Sequence, residues 1–218
     1  MTPKELDKAL TEALIDKMQT IGFDKKRIGS FSRDNNGCEQ RFSYGFVRDR
    51  GLPGNTYSLN NSLSFSYKEV DRLCCSFLGI EYDAREKLFG TGTNPLEAII
   101  PDEDIHKYRY CLDEVVDEYA TRLFDDFSKY GLPFYEQYDS LEKIGAYFNK
   151  YRKHNPNGFS VIRNYKGVGY SCCIAAVFCE LRNWNLLQDF LEQDDKLGDE
   201  NRAKIADYMR ENRRISNS

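Results

Sequence analysis

Hydrophobic and polar residues alternate most regularly between Phe31 and Tyr67. From Tyr57 onward, Tyr57, Leu59, Leu63, Phe65 and Tyr67 are separated by Ser58, Asn60, Ser62, Ser64 and Ser66. A period of two with one apolar face predicts a half-buried strand. A strand from Cys38 to Val47 places Cys38, Phe42, Tyr44 and Phe46 on one face and Glu39, Arg41, Ser43 and Gly45 on the other. Its even-numbered residues face inward, whereas those of the Tyr57 strand that face inward are odd. Directly opposed residues share a face, so paired residue numbers must sum to an odd value. Asn36-Gly37 is the dipeptide favoured in a two-residue type I′ turn, which pairs Asn35 with Cys38 and sets Phe31 opposite Phe42, again an odd sum. Turn chemistry and hydrophobic face agree on three consecutive antiparallel strands.

Elsewhere the periodicity is helical. Thr2-Pro3 reads as an N-cap and first-turn pair, followed by Leu6, Leu10, Leu14, Met18 and Ile21 on one face, with Gly22 as the stop. This helix is expected across the sheet. Lys25-Lys26-Arg27 follows as a basic triplet ahead of the first strand and is expected to be a solvated turn. Ser66-x-x-Glu69 resembles a capping box opening a helix with Val70, Leu73, Cys74, Phe77 and Leu78 inward, closed by Gly79. A helix from Asp113 to Tyr130 carries Val116, Tyr119, Leu123, Phe127 and Tyr130 inward and ends at Gly131 with Pro133 beyond. Asp139-x-x-Glu142 predicts another capping box, starting a helix with Leu141, Ile144, Phe148 and Tyr151, which His154 to Gly158 breaks. The last third reads as helices from Tyr170 to Asn183, Trp184 to Gln193 and Asp199 to Arg213, with frayed residues after Ile215.

Between Ile80 and Leu112 the pattern is weak. Leu96 to Ile100 and Tyr108 to Leu112 are short strand candidates, one of which would complete a fourth strand. The loop Asp49 to Thr56, holding Gly51, Pro53 and Gly54, is too long for a tight hairpin and is expected on the surface, where loops carry recognition. Together these elements predict an α+β protein: an antiparallel sheet of three to four strands packed by helices, followed by a C-terminal helical extension. Residues 1–152 form the expected sheet domain, and residues 153–218 the extension packed on it.

Composition narrows the function classes. The 218 residues include 14% aromatics, enough for a substantial core. A formal charge of -4 and a pI near 5.4 argue against a general nucleic-acid backbone binder and suit a basic partner. Seven cysteines, including Cys74-Cys75 and Cys172-Cys173, lack C-x-x-C spacing, and their odd number fits a reduced compartment. No basic-then-apolar leader and no run of about 18 apolar residues is visible, so neither secretion nor membrane spanning is expected and a cytoplasmic location is.

The order of an N-terminal helix, Ile21-Gly22-Phe23-Asp24-Lys25-Lys26, Phe31-Ser32-Arg33, Gln40-Arg41-Phe42-Ser43 and Tyr57-Ser58-Leu59-Asn60-Asn61 resembles an uncharacterised bacterial domain-of-unknown-function family. Tyr130-Gly131-Leu132-Pro133-Phe134 before Ser140-Leu141-Glu142 is similar to it too. Members of that family are discussed alongside immunity proteins that neutralise toxins delivered between competing bacteria. The similarity spans about residues 5 to 150 and leaves the last helices as an extension. It implies an architecture and an immunity-like role, and it brings no catalytic residues.

No catalytic, cofactor or metal set is expected. His106 and His154 lack the partner spacing that a four-ligand zinc site requires. Gly90-Thr91-Gly92 lacks the following Lys-Ser or Lys-Thr of a phosphate loop. Two features remain. Gln40 and Asn61 lie on the inward face among Leu59, Leu63, Phe42 and Tyr44, so each amide either satisfies a structural partner or lines a small polar pocket. Between Asp102 and Asp126, nine acids stand against three bases, a net charge of -6. Asp113, Glu114, Asp117 and Glu118 share a helix face that is either ordinary solvated surface or a field that steers a basic protein, such as a nuclease toxin. The expected function is therefore non-enzymatic protein binding, of immunity type, through that acidic face and the loop carrying Arg50 and Leu52. The alternative is an enzyme or small-ligand binder with a pocket near Gln40 and Asn61.

Overall fold

The computed structural model describes residues 2–48, 56–82, 92–101, 109–111, 115–152 and 166–216. Helix α1 spans Pro3–Thr20. Its start is a reciprocal cap: the Glu5 N–H donates to Thr2 Oγ1 at 3.3 Å and the Thr2 N–H to Glu5 Oε2 at 2.7 Å. Such a cap stabilises a helix by about 1 kcal/mol. Leu6, Leu10, Leu14 and Met18 are all buried, as their spacing predicts.

Strand β1, Asp24–Arg27, precedes the three strands expected from the sequence. The basic triplet is thus a strand and not a turn. All four of its side chains are exposed, so no hydrophobic alternation marks it. β2 (Ser30–Asn35) and β3 (Cys38–Arg48) follow, joined at Asn36 and Gly37 with φ of 54° and 82°. Positive φ at both central residues is what a type I′ turn requires. Three contacts report the register. The Tyr44 N–H donates to Gly29 O at 2.8 Å, the hydroxyls of Ser30 and Ser43 lie 3.2 Å apart, and Arg33 Nε donates to Gln40 Oε1 at 2.8 Å. Each pair has the same residue-number sum as Phe31 and Phe42, the pairing that the turn implies.

β4, Thr56–Tyr67, buries Tyr57, Leu59, Leu63, Phe65 and Tyr67 and turns its serines outward. The sheet has the order β1-β2-β3-β4-β5, where β5 is Gly92–Asn94, and β6, Arg109–Cys111, also pairs with β4. β6 is antiparallel to β4, with Tyr57 opposite Tyr110. One of the two short strand candidates is therefore a strand. The other, Leu96 to Ile100, is no strand and holds a single 3₁₀ turn, Leu96–Ala98.

Contacts divide the chain into two compact units. The first comprises Met1–Asn35, Glu39–Ser64 and Asn94–Gln137; the second comprises Asn36–Cys38, Phe65–Thr93 and Tyr138–Ser218. The boundary at residue 152 read from the sequence lies inside the second.

In the first unit α1 packs on α3, Val116–Asp126, which buries Tyr119, Ala120 and Leu123. The helix does not end at Gly131. A π-helical turn, Phe127–Gly131, carries the chain into α4, Leu132–Glu136. Gly131 has φ of -71°, an ordinary helical value, so it is no left-handed stop. A Cβ there would lie 2.8 Å from the Phe127 ring, which makes close packing the reason for glycine. Pro133 falls in the first turn of α4, where a missing N–H is harmless. Phe127 thereby reaches Phe23 (5.3 Å between ring centres) and Phe42 (4.8 Å), the aromatic centre of this unit.

In the second unit α2 is Lys68–Leu78, ended by Gly79 at φ 69°. The Ser66-Glu69 capping box does not form. Tyr67 is the N-cap, the Ser66 hydroxyl donates to Asp71, and Glu69 pairs with Arg72 at 3.0 Å. α5, Leu141–Lys150, is capped by Ser140 and not by Asp139: Ser140 Oγ accepts the Lys143 N–H at 3.3 Å, while Asp139 takes the Lys143 ammonium at 2.8 Å. α6 (Lys166–Glu180), α7 (Trp184–Gln193) and α8 (Asp199–Ser216) form the C-terminal run. Every residue from Ser171 to Cys179 is buried, so α6 is covered on all sides along this stretch and serves as the central helix of the unit. It packs on α2, α5 and α7.

Candidate functional site

The acidic face lies at the start of α3. Asp117 and Glu118 occupy its first turn, and both are exposed. Val115, the N-cap, offers no side-chain acceptor to the free N–H groups there, so the two carboxylates are the negative charge that complements the helix dipole. Val115 is itself 56% exposed, an apolar residue beside two charges. The opposite face, Tyr119, Ala120 and Leu123, is buried, and it fixes which way the acids point. Asp113, Glu114, Arg50 and Leu52 lie outside the described residues, as do His106 and His154.

The two inward amides serve different partners. Gln40 is 1% exposed and its Oε1 accepts from Arg33 Nε. Arg33 also donates to Ile21 O at 3.0 Å and stacks its guanidinium 4.7 Å from the centre of the Phe23 ring. Gln40 Nε2 is buried with no hydrogen-bond partner among the described residues. Asn61 is half-buried, and its Oδ1 accepts the Leu96 N–H at 2.7 Å, tying the 3₁₀ turn to β4.

Arg33 is the functional-looking residue that hydrophobic patterning passes over. Its signal was nevertheless present: the Asn36-Gly37 turn sets Arg33 opposite Gln40, and the parity rule puts both on the inward face. A cation on an apolar face opposite an amide points to a pair.

Asp7 and Thr11 on α1 form a second polar cluster against β3. Asp7 Oδ1 accepts the Phe46 N–H at 2.8 Å, and Thr11 Oγ1 accepts the Gly29 N–H at 2.9 Å. Burial raises the Asp7 carboxyl above its usual range, opposed by the Phe46 hydrogen bond.

Cys38, Cys74, Cys75, Cys172, Cys173 and Cys179 are free and buried. Burial first, then the neighbouring Asp71, pushes Cys75 up to about 11; burial and Asp194 push Cys172 up to about 12. Such thiols are poor nucleophiles. No group of three or more His, Cys, Asp or Glu among the described residues is arranged to hold a metal ion. Gly92 closes the glycine-rich stretch inside β5, where a Cβ would lie 2.3 Å from the Phe65 ring, so packing explains it.

The second unit has a cavity of about 210 Å³ lined by Arg152, Phe190, Gln193, Asp194, Asp195 and Lys196. Asp194 is fully used there. Its carboxylate accepts from Ser171 Oγ at 2.9 Å and from the Lys196 and Leu197 N–H groups at 2.9 Å each. These bonds make it a structural corner between α7 and α8. Among the described residues, no helix is long and apolar enough to cross a membrane.

No protein-family profile, curated protein or solved structure matches the chain.

Proposed function

We propose that this protein is a non-enzymatic, cytoplasmic protein-binding module that acts as an immunity-type inhibitor of a basic toxin or similar protein partner. The observation that carries the reading is the exposed pair Asp117 and Glu118, held outward by the buried face of α3 and flanked by exposed Val115. Charge around an apolar anchor favours both encounter and retention: the field speeds association, and the apolar contact slows release. From the sequence, Asp113, Glu114, Arg50 and Leu52 join the proposed partner-binding set, all four outside the described residues. The resemblance to the family discussed alongside immunity proteins points the same way.

The test is affinity capture with the tagged full chain against the products of neighbouring genes, followed by association kinetics. A stoichiometric basic partner is expected, with an association rate that falls as salt rises and falls about tenfold in an Asp117→Lys/Glu118→Lys variant. A rate indifferent to both would remove the acidic face from the mechanism.

One observation favours a second reading, a small-ligand binder at Gln40. Leaving a buried amide N–H unpaired costs about 1–3 kcal/mol, and a ligand acceptor would recover that cost. A Gln40→Met variant that loses no ligand and gains stability would dispose of it.

A further inference from the structure

We propose that the outer edge of β1, residues 24–28, is a second interaction surface, one that takes an acidic extended segment as an added strand. This proposal is independent of the acidic face on α3.

β1 stands at the end of the strand order and, among the described residues, is hydrogen-bonded to β2 on one side only. All four of its residues are exposed, and Ile28 beyond it is 44% exposed. Backbone groups of an antiparallel strand point alternately to its two sides, so the outer side of β1 presents N–H and C=O groups that no described strand pairs. Among the described residues, Lys25, Lys26 and Arg27 form no ion pair, so none of them is committed to a described acid at this edge.

The register distributes them. Lys25 opposes Phe31 while Arg27 opposes Ser30, with the register shift between them at Lys26. Successive residues of β2 face opposite sides of the sheet, so Lys25 and Arg27 lie on opposite faces despite being two apart. The open edge is therefore bordered by positive charge above and below.

That arrangement selects its occupant. β1 carries Asp24 beside Lys25, Lys26 and Arg27, one acid against three bases, so a second copy would set one net charge of +2 against another, a repulsion of the kind that natural edges use to block self-pairing. An acidic strand meets the same charges as attraction, along with the backbone pairing of strand addition. Exposed Ile28 offers an apolar contact at one end.

The experiment uses the isotopically labelled full chain and a ten-residue peptide of alternating Glu and Val, read by amide shift changes. Three controls accompany it: an alternating Lys and Val peptide, the Glu and Val peptide N-methylated at alternate residues, and a Lys25→Glu/Arg27→Glu variant. The acidic peptide should shift amides in residues 24–28. Its affinity should drop by about tenfold or more with N-methylation and with the charge-reversed variant, whose thermal midpoint should match the parent because both side chains are in solvent. Equal binding by the N-methylated peptide would overturn strand addition. Binding of the Lys and Val peptide, shifts confined to other residues, or no shift at all would overturn the proposal as a whole.

Discussion

The Tyr44 hydroxyl donates to the Thr11 hydroxyl across 2.8 Å, and the direction follows from Thr11's other bonds. Thr11 gives its single proton to Asp7 O at 2.6 Å, and its oxygen receives both Tyr44 and the Gly29 N–H. One helical threonine thus terminates two buried donors from the sheet. Thr11→Val keeps the shape and strands both donors, so it should cost about 1–3 kcal/mol in urea unfolding. Thr11→Ser keeps the acceptor and should cost under about 1.5 kcal/mol. Equal stability of the two variants would show that the hydroxyl is idle.

One turn earlier, Asp7 is a carboxylate held partly out of water. Its folded pKa is raised, chiefly by burial, so the folded state holds this proton more tightly than the unfolded state does. The stability from that proton is fully present below the unfolded pKa, near the model-compound value of 3.8, and is lost as pH rises through the folded pKa. Asp7→Asn preserves an acceptor for Phe46 N–H and abolishes the titration. The variant's stability relative to the parent should therefore increase from acidic to neutral pH, by less than about 1 kcal/mol after allowance for solvent screening. A difference that is flat with pH would refute this.

Gly92 lies under the Phe65 ring, which stacks on Tyr138 with 5.1 Å between ring centres. Adding a Cβ in Gly92→Ala displaces an aromatic ring, with an expected cost of about 1–3 kcal/mol. In a Phe65→Leu background the same substitution should cost less. Strict additivity of the two changes would show that the ring is not what excludes the methyl group.

Cys38, Cys74, Cys75, Cys172, Cys173 and Cys179 should resist iodoacetamide in the native protein at pH 8. Peptide mapping across a urea series should find them alkylated together, in step with the global unfolding transition, because all six are buried and the pKa shifts found for Cys74, Cys75, Cys172, Cys173 and Cys179 are upward. Labelling of Cys74 or Cys173 well before that transition would reveal a local opening between α2 and α6.

Much of the sheet is visible in the chain because its signals are local. Period-two alternation marks β3 and β4, and the Asn36-Gly37 turn sets the β2-β3 register without reference to anything distant. β1 escaped because all of its side chains face solvent, so no burial pattern is written into it. The π-helical turn escaped because Gly131-x-Pro133 is also the pattern of a helix end; what carries the helix onward is the fit of Gly131 against Phe127. The candidate site divides the same way. Asn61 stands out as an amide that must find a partner, yet that partner, the Leu96 N–H, lies 35 residues away and is supplied by the fold alone. Asp117 and Glu118 were placed outward correctly because helical spacing alone opposes them to Tyr119 and Leu123.

By itself the sequence determined the α+β class, the inward residues of β3 and β4, the hairpin register and the three C-terminal helices. Each rests on a repeat of two or 3.6 residues, or on the backbone chemistry of one dipeptide. Only the tertiary structure decided that Arg33 stacks on Phe23, that Asn61 takes the Leu96 N–H, and that β1 stands at the end of the strand order. These outcomes come from groups brought together across the chain, where competition among several possible partners is settled by packing and not by neighbours in sequence.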